Sequence, residues 1–122
     1  MAVDLTAEWD ALDNGSALLT GVAVVRKSFA QEHPAALEAF LADYAASVAW
    51  VNANTADAAA RIGEMGIVDA AVAEKALPYC NIVCITGSEM KEKLSGYLEV
   101  LYDQEPKSTG GALPGDDFYY GA

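Results

Sequence analysis

Basic residues are scarce in this chain of 122 residues, and their scarcity excludes one large class of partners. Seven Lys and Arg stand against eighteen Asp and Glu, which gives a formal net charge of −11. Proteins that bind a phosphate backbone present clusters of Lys and Arg. Here the neighbouring lysines Lys91 and Lys93 are interspersed with two acidic residues, Glu89 and Glu92. We therefore expect no nucleic-acid partner.

Histidine and cysteine are also scarce, which leaves little material for catalysis or for a metal centre. The only histidine, His33, directly precedes Pro34, and a helix cap or a surface position accounts for it. On a strand, Cys80 and Cys84 would lie about 13 Å apart, too far for a disulfide. No further metal ligands accompany them. We expect two buried free thiols, no metal, no cofactor and no catalytic residue.

Long apolar runs and a targeting signal are absent as well. No stretch of about eighteen apolar residues occurs, so we expect no membrane-spanning helix. The first residues of the chain carry neither a basic segment nor a continuous apolar segment of the kind that begins a secretory signal.

What the sequence does contain is helical periodicity. It predicts a single turn at 29–32 capped by Ser28, and a long helix that begins at Pro34 and ends at residues 52–54. It also predicts a helix capped by Thr55 that runs to about 65, a helix capped by Asp69, and a helix capped by Ser88 that runs to about Asp103. The long helix carries one apolar stripe: Leu37, Phe40, Leu41, Tyr44, Val48 and Val51. Gly66 lies where a left-handed residue commonly ends a helix.

Two short segments favour strands, residues 22–25 and 81–85, because both are apolar and rich in β-branched side chains. Two short strands do not make a stable sheet by themselves, so the predicted architecture is incomplete. The sequence therefore predicts an α/β protein, helix-rich with few short strands, in which residues 1–122 form a single domain that ends in an irregular tail at 106–122.

The tail contains the features that most resemble a site. Gly110-Gly111 lacks the following Lys-Ser/Thr of a phosphate loop, and the adjacent carboxylates Asp116-Asp117 suit a solvated turn better than a calcium site. The last aromatic residues, 118–120, are costly to leave in water. We expect them to dock onto the body of the protein or onto a partner, with an aromatic ligand-binding wall as the alternative.

The order of several motifs resembles a known family. The motifs are a strand ending in Arg-Lys at 19–29, a His-Pro helix start at 33–41, Val-Asn-Ala-Asn at 51–54, an Ala-rich helix at 56–60 ending in Gly-Ile at 66–67, and the segments 76–83 and 110–120. Together they are similar to the solute-binding proteins of nitrate, taurine and aliphatic-sulfonate ABC importers, which are akin to binders of thiamine pyrimidine precursors. The resemblance covers residues 17–120. No single motif is diagnostic of the family, and the resemblance depends on the order in which all the motifs occur.

The resemblance implies a fold, a location and a site. Such proteins are extracytoplasmic, have two α/β lobes of the periplasmic-binding-protein type, hold a solute in the cleft between them, and deliver it to a membrane permease. The matching region is the C-terminal third, so this chain would lack most of the pocket. Residues 22–25 resemble the strand that returns towards the first lobe. Thr20 and Gly21 match the crossing near the hinge and are the predicted ligand-binding residues, although a tight turn into the strand explains them equally well.

Three hypotheses follow for the function. The first is the solute-binding component of an ABC importer, acting on a small solute, anionic in several members of the family. The second is a self-contained α/β interaction module that forms a homodimer through exposed apolar helix faces. The third, an enzyme of pyrimidine-precursor synthesis, lacks the histidines and cysteines that such chemistry needs, and a shared fold does not supply an activity.

Overall fold

The described part of the protein, residues 3–122 of a computed structural model, is built from helices. The α-helices are α1 (Leu5–Asp10), α2 (Lys27–Glu32), α3 (Pro34–Ala53), α4 (Thr55–Glu64), α5 (Ala70–Ala76) and α6 (Gly87–Gln104). Short 3₁₀ helices occur at Leu77–Tyr79, Pro106–Thr109 and Asp116–Phe118. None of the helices in residues 3–122 combines the length and the apolar character needed to cross a bilayer.

The prediction of an α/β fold is wrong, because residues 3–122 contain no strand. Both predicted strands, residues 22–25 and 81–85, lie in segments without regular secondary structure. Within the described chain no backbone–backbone hydrogen bond involves either segment. The β-branched side chains that suggested a strand are largely in solvent, with Val22 60% and Val24 84% exposed. Strand propensity measures how well a residue fits a pleated, half-buried surface, and here no neighbouring strand provides that surface.

The chain divides into two compact units. The central unit is Val25–Cys84 and contains α2 to α5. The terminal unit consists of the described residues up to Val24 together with Ile85–Ala122, and contains α1 and α6. The chain therefore passes from one unit to the other twice.

Local signals place the helices of the central unit. Pro34 occupies the first turn of α3 with His33 at the N-cap position, as predicted. Asn54, and not Thr55 as predicted, is the N-cap of α4. The side chain of Asp69 accepts a hydrogen bond from the Ala71 N–H at 2.9 Å and caps α5, which confirms that prediction.

Helix α4 ends in a Schellman motif at Gly66. Gly66 adopts φ +69°, its N–H bonds to the Gly63 carbonyl at 3.0 Å, and the Ile67 N–H bonds to the Ile62 carbonyl at 3.1 Å. This pair of bonds satisfies carbonyl groups that the helix end would otherwise leave without partners. The motif confirms the predicted left-handed glycine, and it turns the chain towards α5.

Small side chains form most of the buried contacts of the central unit. Its buried apolar residues are Leu37, Ala58, Ala59 and Ala73. Helices α4 and α5 approach so closely that a Cβ on Gly63 would lie 2.9 Å from the Cβ of Ala70. The apolar stripe of α3 is only partly covered, because Phe40 and Tyr44 stack on each other in solvent, with ring centroids 5.7 Å apart.

The terminal unit is organised around α6 and contains a helix that the sequence analysis did not predict. Helix α1 begins where the Asp4 carboxylate accepts hydrogen bonds from the N–H groups of Thr6 and Ala7. Trp9 of α1 packs on Tyr97 of α6, with ring centroids 5.2 Å apart. Helix α6 starts one residue before the predicted cap, Ser88, because Thr86 takes the N-cap position.

The end of the chain docks onto α6 through a buried aromatic residue, Tyr119. Tyr119 is buried, whereas Phe118 and Tyr120 remain exposed. The Lys91 ammonium lies 5.9 Å from the centroid of the Tyr119 ring and pairs with the Asp116 carboxylate at 2.9 Å. Of the three aromatic residues predicted to dock onto the body of the protein or onto a partner, Tyr119 docks onto the body, and Phe118 and Tyr120 stay exposed. Since Asp116 is exposed, the ion pair contributes about 0–1 kcal/mol, and ring burial holds the tail.

Docking of the tail predicts a specific dependence on alkaline pH. Burial raises the pKa of Tyr119 above its ordinary value of 10.0, while the Lys91 ammonium acts in the opposite direction. The folded chain therefore keeps the phenolic proton at a pH where the unfolded chain has lost it. The free energy of unfolding should fall as pH rises above 10, and Tyr119→Phe should remove that part of the decline.

Denaturant unfolding at a series of alkaline pH values measures this effect, and ultraviolet titration of tyrosinate gives an independent readout. Part of the tyrosinate absorbance of the folded chain should appear at a higher pH than that of the exposed tyrosines, and this part should be missing from Tyr119→Phe. The matched control is Tyr79→Phe, which removes a hydroxyl from a side chain that is 82% exposed. A late absorbance that survives in Tyr119→Phe would contradict the docking described here.

Candidate functional site

The central unit contains a groove with a volume of about 410 Å³. Two stretches that are distant in sequence form it: the junction between α3 and α4, and the segment that follows α5. Its lining residues are Val51, Asn52, Thr55, Leu77, Pro78, Asn81, Ile82 and Val83. Both stretches belong to motifs on which the family resemblance depends, residues 51–54 and 76–83.

One side-chain hydrogen bond ties the two walls of the groove together. The Asn52 amide nitrogen, near the end of α3, donates to the Ile82 carbonyl oxygen at 2.9 Å. Residues 81–85 make no backbone–backbone hydrogen bonds within the described chain, so this amide supplies a partner that a neighbouring strand would supply in a sheet.

The turn that enters the second wall relies on Asn81. Its backbone has φ +49°, in the left-handed region, which asparagine tolerates far better than branched residues do. The 3₁₀ helix at Leu77–Tyr79 ends just before it. The left-handed residue therefore reverses the chain after this helix and brings Ile82 within reach of Asn52.

The chemistry of the groove is neutral. Its polar side chains are the amides of Asn52 and Asn81 and the hydroxyl of Thr55, and its remaining lining residues are apolar. Amides and hydroxyls can donate and accept hydrogen bonds, but none of them is a general base or an activated nucleophile. The groove is suited to holding a small neutral group between apolar walls, and its lining provides no catalytic constellation.

The residues that the resemblance predicted to bind ligand lie elsewhere. Thr20 and Gly21 are exposed residues of the terminal unit, in a segment without regular secondary structure, and neither lines the groove. Gly21 does not need to be glycine for conformational reasons, since its φ is not positive and an added Cβ would meet nothing within 4 Å. A role for Thr20 and Gly21 in ligand binding stays a prediction.

The cysteines and the histidine form no centre with each other. Cys80 is exposed, contrary to the prediction of a buried thiol, and its Sγ lies 3.3 Å from the Ala76 carbonyl oxygen; Cys84 is half-buried. His33 is exposed at the start of α3, as predicted, with its ring 4.9 Å from that of Phe29. Residues 3–122 contain no group of three or more His, Cys, Asp or Glu side chains that could hold a metal ion.

Asn52, Thr55 and Asn81 are the site residues that reasoning from the sequence missed. The sequence marks Asn52 as the end of a helix and Asn81 as the start of a strand, and the resemblance includes both in its motifs without giving either a role. An asparagine that interrupts an apolar run, as Asn81 does between Tyr79-Cys80 and Ile82-Val83, was the available signal. Its partner across 30 positions could not be found from spacing, because only the tertiary structure brings the two segments together.

Comparison with known proteins does not identify a relative. No protein-family model, no curated protein and no solved structure matches the chain.

The bond between Asn52 and Ile82 can be tested with a matched pair of variants. Asn52→Ala removes the cross-groove bond, whereas Asn54→Ala removes a bond of the same length, 2.9 Å, to the Trp50 carbonyl of the adjacent turn. Each variant should lose about 1 kcal/mol of unfolding free energy, the ordinary value of one such hydrogen bond. Only Asn52→Ala should increase the rate of amide hydrogen exchange at residues 81–86, measured by NMR. Equal exchange rates in the two variants would show that the bond does not hold the wall.

Proposed function

We propose that this chain is part of the solute-binding component of an ABC import system and delivers a small molecule to a membrane permease. The proposal includes an extracytoplasmic location for the whole protein and no catalytic activity. It rests on the ordered motif resemblance over residues 17–120 and on one structural observation: two of those motifs meet in a groove. The helical fold lends the proposal no support, since many functions occur on any one fold.

The size and lining of the groove support solute binding. Small-molecule sites commonly enclose about 300–1,000 Å³, with apolar walls and a few polar groups that orient the ligand. The groove has a volume of about 410 Å³, and Asn52, Thr55 and Asn81 are its polar groups. The motif resemblance gives these residues no role, so their place in the groove adds to what the motif order alone supports.

The lack of charged groups in the lining narrows the class of solute. An anion such as a sulfonate is usually met by Arg, Lys or a helix N-terminus with free N–H groups. None of the eight lining side chains is charged. Among the ligands of the resembling family, the groove therefore favours a neutral, hydrogen-bonding ring such as an aminopyrimidine over nitrate or taurine.

Titration of the chain with an aminopyrimidine, taurine and nitrate, followed by two-dimensional NMR, tests this proposal. We expect the aminopyrimidine to shift the amide signals of residues 51–55 and 77–83, with little effect of nitrate or of the sulfonate group of taurine. Thr55→Val should weaken binding about fivefold, as expected for one lost hydrogen bond. Thr109→Val is the matched control, because its hydroxyl bonds to the Pro106 carbonyl in the terminal unit.

Shifts confined to residues outside the groove, or no shift with any of the three compounds, would contradict solute binding by this chain. The import role itself has a separate test in the genome. A reading frame for the whole protein with no neighbouring permease or ATPase gene would argue against import even if the groove binds a solute.

A second candidate function, self-association, is supported by a different observation. Helix α3 keeps a stacked aromatic pair in solvent, with Phe40 49% and Tyr44 39% exposed. Exposed apolar surface of this kind on a helix often marks an interface. The net charge of −11 opposes association of two copies, so any homodimer should strengthen as salt screens the repulsion.

Size-exclusion chromatography with light scattering at low and high salt tests this second candidate. A homodimer through α3 should appear at high salt and disappear in the double variant Phe40→Ser, Tyr44→Ser. Tyr79→Ser is the control, since it removes an even more exposed aromatic side chain from another segment of the central unit. A monomeric mass at every salt concentration would remove the homodimer as a function of this chain.

A further inference from the structure

Asn14 and Gly15 form an exposed turn between α1 and the segment that follows it. The sequence analysis did not assign a function to this turn, and it belongs to the terminal unit, separate from the groove. Asp13 and Gly15 both have positive φ, +47° and +74°. The turn is therefore a tight reversal in solvent.

The side-chain carbonyl of Asn14 accepts two hydrogen bonds. Its Oδ1 receives the Ser16 backbone N–H at 3.0 Å and the Ser16 hydroxyl at 2.6 Å. The Ser16 oxygen in turn accepts the Trp9 indole N–H at 2.9 Å. Because the indole N–H donates to the same oxygen, it polarises the hydroxyl that points at Asn14. Two donors directed at one carbonyl oxygen are the arrangement that stabilises an oxyanion.

The neighbouring backbone supplies a nucleophile. Glycine has no Cβ to obstruct the approach of its own nitrogen to the preceding side chain. In the described part of the chain, the Gly15 N–H takes part in no backbone–backbone hydrogen bond. Its nitrogen is one peptide unit from Asn14 Cγ, so attack closes a five-membered ring.

We infer that Asn14 is a site of spontaneous deamidation that the folded structure accelerates. The Gly15 nitrogen, after losing its proton to solvent base, bonds to Asn14 Cγ, and charge develops on Oδ1, where the two Ser16 donors stabilise it. The side-chain nitrogen takes up a proton from solvent, its C–N bond breaks, ammonia leaves and a succinimide remains. One water molecule opens the ring at either carbonyl, which yields aspartate or isoaspartate at position 14.

The two products have different structural consequences. Aspartate keeps an oxygen at the position of Oδ1, and a carboxylate accepts both Ser16 donors at least as well as the amide does. Isoaspartate lengthens the backbone by one carbon and displaces Ser16. Ser16 packs directly on α6, since a Cβ on Gly96 would lie 2.9 Å from the Cβ of Ser16. Formation of isoaspartate therefore loosens the contact between the turn and α6.

Peptide mapping by mass spectrometry of the full chain, incubated at mildly alkaline pH, measures the reaction. Asn14 should convert at least about fivefold faster in the folded chain than in the same chain unfolded in urea, because one hydrogen bond to the oxyanion corresponds to about that factor. Asn52, Asn54 and Asn81 precede Ala53, Thr55 and Ile82, and they serve as internal references within each sample.

Ser16→Ala separates activation by the fold from the reactivity of any Asn-Gly pair. It removes the hydroxyl donor and keeps the backbone donor, so conversion should slow in the folded chain and stay unchanged in urea. Asn14→Asp should retain the unfolding free energy of the parent chain, which checks that the turn tolerates the aspartate product. Slower conversion in the folded chain than in urea, or an unchanged rate in folded Ser16→Ala, would overturn the inference.

Discussion

The close approach of α4 and α5 is the contact on which the central unit depends. The two helices can meet at Gly63 and Ala70 only because neither residue carries more than one side-chain carbon. Around this point Ala58, Ala59 and Ala73 are buried. The direction in which α5 leaves α4 determines where the 3₁₀ helix at Leu77–Tyr79 begins, and therefore where the second wall of the groove lies. Even the single Cβ of alanine at position 63 would lie 2.9 Å from the Cβ of Ala70, so any side chain there would force the helices apart and would move that wall.

Burial by alanine has an energetic consequence for the rest of the chain. Each alanine contributes a single methyl group, and burial of one such group stabilises by about 0.8 kcal/mol. The large apolar residues that could contribute more, among them Phe40, Val24 and Met65, are mostly exposed. A chain of this kind gains stability when another surface covers those residues. Both proposed functions supply such a surface: the remainder of a larger binding protein in the first, and a second copy of the chain in the second. Since each copy carries a net charge of −11, electrostatic repulsion opposes the association of two copies.

The elements that could be predicted from the sequence are those determined by neighbouring residues. Pro34, Asp69 and Gly66 act within one turn of their own positions, and the helices that they begin or end lie where the sequence placed them. The two strands failed because a strand requires a partner from elsewhere in the chain, and apolar β-branched runs do not reveal whether that partner exists. Helix α1 was missed because its six residues show no clear apolar period, and only the Asp4 cap marks it. The groove could not be predicted for the same reason. Like a strand pairing, it depends on contacts between segments that are distant in sequence.

Asparagine side chains supply hydrogen bonds to the backbone where helices end and turns begin. Asn52 bonds to the Ile82 carbonyl, Asn54 to the Trp50 carbonyl, and Asn14 to both donors of Ser16. In each case a short amide satisfies backbone groups where a helix ends or a turn begins, a role for which asparagine is suited. The same amide is also an electrophile, and its reactivity depends on the residue that follows. Ala53 and Thr55 carry a Cβ that obstructs attack, whereas Gly15 does not. Asparagine therefore links the two walls of the groove in the central unit, and in the terminal unit it forms the turn for which we infer deamidation.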